Sequence, residues 1–324
     1  MDPPWVETML TSPSPTGLSP APFFDEIAEG PKGASAWWVK SADGTQLRLG
    51  LWPAREKGTV LLFPGRTEYI EKYGRVAEDL AAAGYSMVAF DWRGQGLADR
   101  PRHRRDMGHV TSFDEYREDV AAFRAALAAL EVRGPLYLIG HSMGGCIGLR
   151  ALHDGLPVRA AAFTGPMWGI QMTPFMRSIA SVVMGLAGPL GLGTSFAPTT
   201  GPWEPMEFDD NPLTTDRGQF DYMMRQTERH PDLALGGPSI LWVRAALRET
   251  RALMQMPAPQ LPALAIVGTR ERIIEVPTIH TRMETWPGGR LVEIAGAEHE
   301  VLMESPDRRG RSLREITDWF TQHA

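Results

Sequence analysis

The feature that most restricts what this chain can fold into is a short apolar run, Leu136 to Ile139, that passes directly into Gly140-His141-Ser142-Met143-Gly144-Gly145 and then into a helical stretch, Cys146 to His153. A buried strand followed at once by a glycine-flanked serine and a helix is the pattern of a strand-to-helix elbow. There the serine adopts a strained backbone, and its hydroxyl projects at the carboxyl end of the sheet. Glycines two residues before and two after the serine let the chain turn without a side-chain clash.

The rest of the chain supplies the sheet that such an elbow needs. Trp37 to Val39 and the alternating Leu47, Leu49 and Leu51, separated by Asp43-Gly44, predict an opening antiparallel pair. Thr59 to Phe63 is a short apolar strand ended by Pro64-Gly65, Tyr73 to Ala83 has helical spacing with a stop at Gly84, and Ser86 to Phe90 is again a strand. Phe113 to Leu130 places Tyr116, Val120, Phe123, Leu127 and Leu130 on one helical stripe. Strands and helices alternate in units long enough for crossovers, which predicts an α/β domain with a mostly parallel sheet covered on both faces. After Ala160 to Phe163 the rhythm stops. Residues 165–260 are rich in Pro, Gly, Met and Trp and read as an insertion. The rhythm resumes at Ala263 to Val267, continues through a helix with Pro277 in its first turn and a strand Arg290 to Ile294, and closes with a helix near Leu313 to Phe320. The expected organisation is therefore a poorly ordered segment 1–22, a sheet domain formed by 23–164 and 261–324, and an inserted segment 165–260 after the sixth strand.

Composition narrows the function classes. With 33 Lys+Arg against 39 Asp+Glu the net charge is -6, which argues against nucleic acid as a partner. The single cysteine, Cys146, cannot form an internal disulfide and leaves too few thiols for a structural zinc site. The first residues, rich in Pro and Ser, lack a basic start followed by an apolar core, so a cytoplasmic protein is expected. The longest apolar candidate, Ile179 to Leu192, is broken by glycines and a proline and is shorter than the roughly 20 residues of a spanning helix. Peripheral membrane contact stays compatible with the sequence, and the oligomeric state is not readable from it.

A serine at its own pKa is a poor nucleophile and needs a base, which in turn needs an acid to hold its tautomer. Chain order on such a sheet is serine, acid, histidine. Of the histidines after the insertion, His280 falls in a predicted helix and His323 at the terminus, whereas His299 sits in the loop after the last strand. The acid is expected in the loop after Ala263 to Val267, where Glu271 is the choice and Glu275 the rival, the latter better placed to begin the helix at Pro277. Two N–H donors are needed for an oxyanion, and the candidates are the amides of Met143, which follows the serine, and of Arg66, in Phe63-Pro64-Gly65-Arg66-Thr67.

Pro64-Gly-Arg-Thr-Glu-Tyr-Ile-Glu-Lys-Tyr73, Asp91-Trp-Arg-Gly-Gln-Gly96, Gly140-His-Ser-Met-Gly-Gly145, Gly268-Thr-Arg-Glu-Arg272 and Gly296-Ala-Glu-His299 together resemble the monoacylglycerol lipase and lysophospholipase L2 family of bacterial α/β hydrolases. The resemblance runs from Phe23 over nearly the whole chain. It implies the α/β-hydrolase fold, Ser142 as nucleophile, His299 as base and Glu271 as acid. It also implies that the insertion is a lid over an acyl-chain site, with Asp210 to Asp216 part of it, and that the substrate is a small-molecule or lipid ester cleaved without a cofactor. The sequence departs from the family in two places: the loop after the third strand begins Pro64-Gly65 rather than His-Gly, and the acid is Glu rather than the commoner Asp. The alternatives are a short-chain carboxylesterase of broad specificity and, behind it, a catalytically silent binding protein on the same fold, the latter opposed by the ordered serine, acid and histidine.

Arg93, Arg100, Arg102, Arg104 and Arg105 form a basic run that is read either as a contact for phosphate or an anionic bilayer, or as solvated surface. Met167, Met172, Met176, Met184, Met223 and Met224 are read either as a pliable acyl-binding wall or as ordinary core. His103 and His109 lack partners at metal-ligand spacing, and no glycine-rich loop carries a phosphate-binding lysine, so neither metal nor nucleotide is expected.

Overall fold

A computed structural model describes residues 18–54, 57–101, 104–172 and 191–324. In these, nine strands form one sheet in the order β1-β2-β3-β5-β4-β6-β7-β8-β9. The strands are β1 Ser19–Pro20, β2 Ser35–Lys40, β3 Gln46–Trp52, β4 Thr59–Phe63, β5 Ser86–Asp91, β6 Leu136–His141, β7 Ala161–Thr164, β8 Ala263–Gly268 and β9 Arg290–Ile294. β1 to β3 are antiparallel, β3 pairs antiparallel with β5, and every other pairing is parallel.

The parallel strands are apolar throughout because both faces are covered. All five residues of β4 are buried, and their period of two divides them between cores: Leu61 and Phe63 pack with Phe90, Phe123, Leu138 and Phe163, whereas Val60 and Leu62 pack with Tyr85, Ile139, Ile316 and Phe320. The helices are α1 Asp25–Ala28, α2 Gly74–Ala82, α3 Asp114–Ala129, α4 Met143–His153, α5 Arg217–Arg229, α6 Ile240–Gln255, α7 Val276–Glu284 and α8 Pro306–Gln322. α3 begins with Asp114 and Glu115, whose charge suits the positive end of the helix, and buries Tyr116, Val120, Phe123 and Leu127 on the predicted stripe. α2 stops where Gly84 takes φ 91°.

Counted with the short β1, the inserted segment follows the seventh strand. Its described part is built into the body: Trp242, Ala246 and Leu253 of α6 join the core beside Phe113 and Tyr116. On α5, Tyr222 donates to Ala28 O at 2.7 Å and Gln226 to Ile27 O at 2.8 Å. Asp216 caps α5 by accepting from Gln219 N, and Ser239 caps α6 by accepting from Trp242 N. Residues 1–17 of the expected unstructured start lie outside the described residues; its end is not free, since Ser19 and Pro20 pair with Trp38 and Trp37. Among the described residues no helix is long and apolar enough to cross a membrane.

β4 lies at the centre, with the chain crossing from it to β5 on one side and later to β6 on the other. The crevice at the carboxyl ends of strands flanking such a switch is where loops from separate strands converge.

Candidate active site

Four loops meet there, following β4, β6, β8 and β9. β6 delivers Ser142 with φ 49° and ψ −118°, a left-handed conformation that is strained for a non-glycine residue. The strain is held by surrounding bonds: Ser142 N donates to Thr164 O at 3.0 Å, and Ser142 O accepts from Gly145 N and Met167 N at 2.9 Å each. A Cβ at Gly144 would lie 1.9 Å from Phe63 O, so the glycine is what allows α4 to start directly against the end of β4. Ser142 itself is partly exposed, and Met143, the first residue of α4, carries one of the amides that a helix leaves without an internal acceptor.

The loop after β9 delivers His299, and that after β8 delivers Glu271. His299 Nδ1 lies 2.6 Å from Glu271 Oε2, and both side chains are almost fully buried. The other oxygen of Glu271 accepts from the amides of Ile273 at 2.7 Å and Ile274 at 3.2 Å. Burial pushes this carboxyl up, but the hydrogen bond and charge of His299 and the two amides outweigh it and hold Glu271 below the usual range. A carboxylate oxygen only accepts, so the His299 Nδ1 that faces Glu271 carries a proton and the ring is oriented by that bond. The rival acid, Glu275, is the residue before α7, with its side chain against Gly169. Neither other candidate base joins the site: His280 Nε2 lies 3.3 Å from Glu293, and His323 Nδ1 lies 2.8 Å from Trp319 O.

After β4, Pro64, Gly65 and Arg66 lead into a turn in which Thr67 has φ 68°. Gln95 pins this loop by donating to Gly65 O at 2.8 Å and Glu68 O at 3.0 Å, and Gly65 N donates to the Glu68 carboxylate. Trp92 Nε1 donates to Pro64 O at 3.0 Å. The Arg66 side chain reaches across to the inserted segment, donating to Gly236 O at 2.9 and 3.1 Å, with its guanidinium 5.6 Å from the Trp242 ring. Burial pulls its pKa down to about 10, and among the described residues no carboxylate pairs with it.

Two sequence readings change. Arg93 and Arg100 are not a surface contact for phosphate or bilayer: Arg93 is buried against Asp119 and Asp43, each at 2.8 Å, and Arg100 spends its donors on the carbonyls of Gly96, Arg105, Asp232, Leu233 and Ala234. Arg104 pairs with Asp106 at 3.3 Å, and Arg102 and His103 lie outside the described residues. Met167 and Met223 are packed in the two cores, and Met176 and Met184 lie outside the described residues. The sequence reading also passed over Glu68, Lys72, His141 and Glu300, which are buried and in contact where the segments after β4, β6 and β9 meet. The signal available was their position: each is a polar or charged residue within, or next to, a segment whose other residues had to be internal.

The comparisons with known proteins identify the family. The model of the family described as serine aminopeptidase, S33, matches residues 54–306. The chain is 31% identical over 277 residues to lysophospholipase L2 of Escherichia coli, covering 82% of this chain and 80% of that protein. It is 27% identical over 263 residues to a probable lysophospholipase L2 of Haemophilus influenzae, covering 81% and 83%. Among solved structures, a soluble variant of monoglyceride lipase from Saccharomyces cerevisiae superposes with a TM-score of 0.68 at 19% identity over 88% of this chain and 94% of that one, a likeness of fold. With its matched span taking in all four site loops, the chain belongs to the serine aminopeptidase S33 family of α/β hydrolases and is a serine-dependent ester hydrolase.

Proposed function

We propose that this enzyme hydrolyses the acyl ester of a single-chain lipid, a lysophospholipid or monoacylglycerol, through an acyl-enzyme on Ser142. The observation that carries the assignment is the 2.6 Å pairing of His299 with Glu271 across from a serine held at φ 49°. Ser142 Oγ attacks the ester carbonyl as its proton passes to His299 Nε2; the oxyanion is received by the amides of Arg66 and Met143. The imidazolium, steadied by Glu271, protonates the departing alcohol oxygen. Water then gives a proton to His299 and adds to the acyl-enzyme, and the free acid leaves with the proton returned to Ser142. Residues 165–260 act as the lid and wall of the acyl site, and the cytoplasm is the compartment in which the reaction runs. A lysophospholipid is favoured over a monoacylglycerol by the relatives at 31% and 27% identity and by the guanidinium of Arg66, which stands beside the oxyanion loop without a carboxylate partner among the described residues.

The test is labelling by a fluorophosphonate probe, wild type beside Ser142→Ala and His299→Ala, followed by hydrolysis of lysophosphatidylcholine and monoacylglycerol of matched chain length. Labelling of wild type that vanishes in both variants supports the assignment, and the faster substrate identifies the head group. A folded wild type that takes no label overturns it in favour of a binding protein.

A further inference from the structure

Glu68, Lys72, Tyr73, His141 and Glu300 lie within one buried group, none more than 6% exposed. The Lys72 ammonium donates to Glu68 Oε1 and to Glu300 Oε1, each at 2.6 Å. Glu68 Oε2 accepts from the Tyr73 hydroxyl and from Gly65 N. His141 Nε2 stands 3.3 Å from Glu300 Oε2 and 3.5 Å from Glu68 Oε1, and its Nδ1 is 3.0 Å from both Thr164 O and Thr164 Oγ1. Three ligand atoms of Glu68, His141 and Glu300 lie within 4.8 Å of one another, as a metal site would require. The lysine already supplies that cation, since its ammonium rests on both carboxylates.

The protonation of His141 follows from the inventory of partners. A carbonyl oxygen only accepts, so Nδ1 facing Thr164 O carries a proton; Nε2 makes no hydrogen bond among the described residues, but two carboxylate charges stand 3.3 and 3.5 Å from it and favour a proton there too. Charge gives the same answer, because two carboxylates and one ammonium are neutral only with an imidazolium, and a buried group of unbalanced charge is costly. Burial pushes the His141 imidazole down, but Glu300 and Glu68 outweigh that and push it up. Glu300 in turn is held well below the ordinary carboxylate range: burial raises it, and His141 and Lys72 lower it by more.

Each carboxylate or imidazole of the group belongs to, or is bonded to, the immediate neighbour of a residue assigned to the reaction. Glu68 holds Gly65, next to Arg66; His141 precedes Ser142; Glu300 follows His299. We infer that Glu68, Lys72, Glu300 and a doubly protonated His141 form a neutral buried clamp that holds the oxyanion loop, the serine elbow and the base loop in register and balances the charge around His299. The inference rests on the assignment of Ser142 and His299 above; the four are positioning residues and touch no substrate. The groups facing His141 are Glu68 and Lys72 from the loop after β4, Glu300 and His299 from the loop after β9, and Thr164 from β7, the two histidine rings being 4.9 Å apart.

The experiment is the pH dependence of kcat/KM on a p-nitrophenyl ester for wild type, Glu300→Gln, His141→Asn and the double variant, preceded by fluorophosphonate labelling of wild type. The acid limb reports loss of the proton from His299. Removing the negative charge of Glu300 moves that limb to lower pH, and removing the positive charge of His141 moves it to higher pH, each by about one unit at this separation. The double variant returns it near the wild-type position, while kcat of each single variant falls about 10- to 100-fold with KM little changed. Limbs that stay in place or move the same way, or undiminished kcat in both single variants, overturn the clamp while the labelled wild type keeps the hydrolase assignment. An unlabelled folded wild type overturns both. Where a single variant fails to fold, Lys72→Met is expected to move the limb upward as His141→Asn does and Lys72→Arg to leave it in place; an unmoved limb in Lys72→Met overturns the clamp.

Discussion

Residues 68 to 73 feed two buried ion clusters that differ in what they are tied to. Glu71 faces Arg48, which donates to its two oxygens at 2.8 and 2.7 Å, to Asp91 at 2.8 Å and to Pro22 O at 2.9 Å. Asp91 also accepts from Ile70 N at 2.9 Å and Leu97 N at 2.7 Å. Every bond in that cluster fixes the path of the chain around β3 and β5. Glu68 and Lys72, on the same turn, face instead the neighbours of Ser142 and His299. The charge balance differs as well: burial, reinforced by Asp91 and opposed by Arg48, raises Glu71, whereas Glu300 is lowered. Equal burial thus serves two ends. One cluster with a fixed guanidinium orders the fold, and one with an imidazole has its ring 4.9 Å from that of His299.

The contrast is one of stability against rate, and Glu271→Gln sets the scale for rate. It should lower kcat about 10³- to 10⁴-fold by releasing the tautomer of His299. Next in size, Arg48→Met leaves two carboxylates buried without their cation and should cost about 3–5 kcal/mol in urea unfolding. The folded fraction should label with the fluorophosphonate at the wild-type rate, and slowed labelling would break the division.

The clusters should also differ in the sign of their pH dependence. With Glu300 and Glu271 below the ordinary 4.5, their contribution is fully present above that pH and is lost as pH falls through the lowered values. Glu71, raised above 4.5, contributes stability that is full below that pH and is lost as pH rises through its raised value. Unfolding free energy measured against pH should therefore show a shallower acid fall in Glu300→Gln and a shallower decline on the other side in Glu71→Gln. The smallest effect belongs to an exposed pair, His230 with Glu26 at 2.7 Å, where Glu26→Gln should change stability by about 1 kcal/mol or less and leave turnover unchanged.

Much of this was legible along the chain. The glycine-serine-glycine elbow, the period-two strands and the stripe of α3 are local patterns, and the observed β9, Arg290–Ile294, matches its predicted span. Ser142, Glu271 and His299 are proposed from the chain order that such a sheet imposes, and of the two candidate acids it is Glu271 that lies against His299. The basic run after β5 misled, since a row of arginines reads as surface until Asp119 and the carbonyls around Arg100 are placed beside it. The neutral clamp was not legible at all: Lys72 and Glu300 are separated by 228 positions.

The sequence by itself determined the layers of the fold and the elbow, because backbone periodicity and turn chemistry act between near neighbours. Only the tertiary structure decided which acid holds the histidine, which arginines are internal and which charges neutralise one another. Desolvation makes a buried charge depend on partners within a few ångströms, and those partners come from strands and loops that the chain brings together only when the sheet is complete.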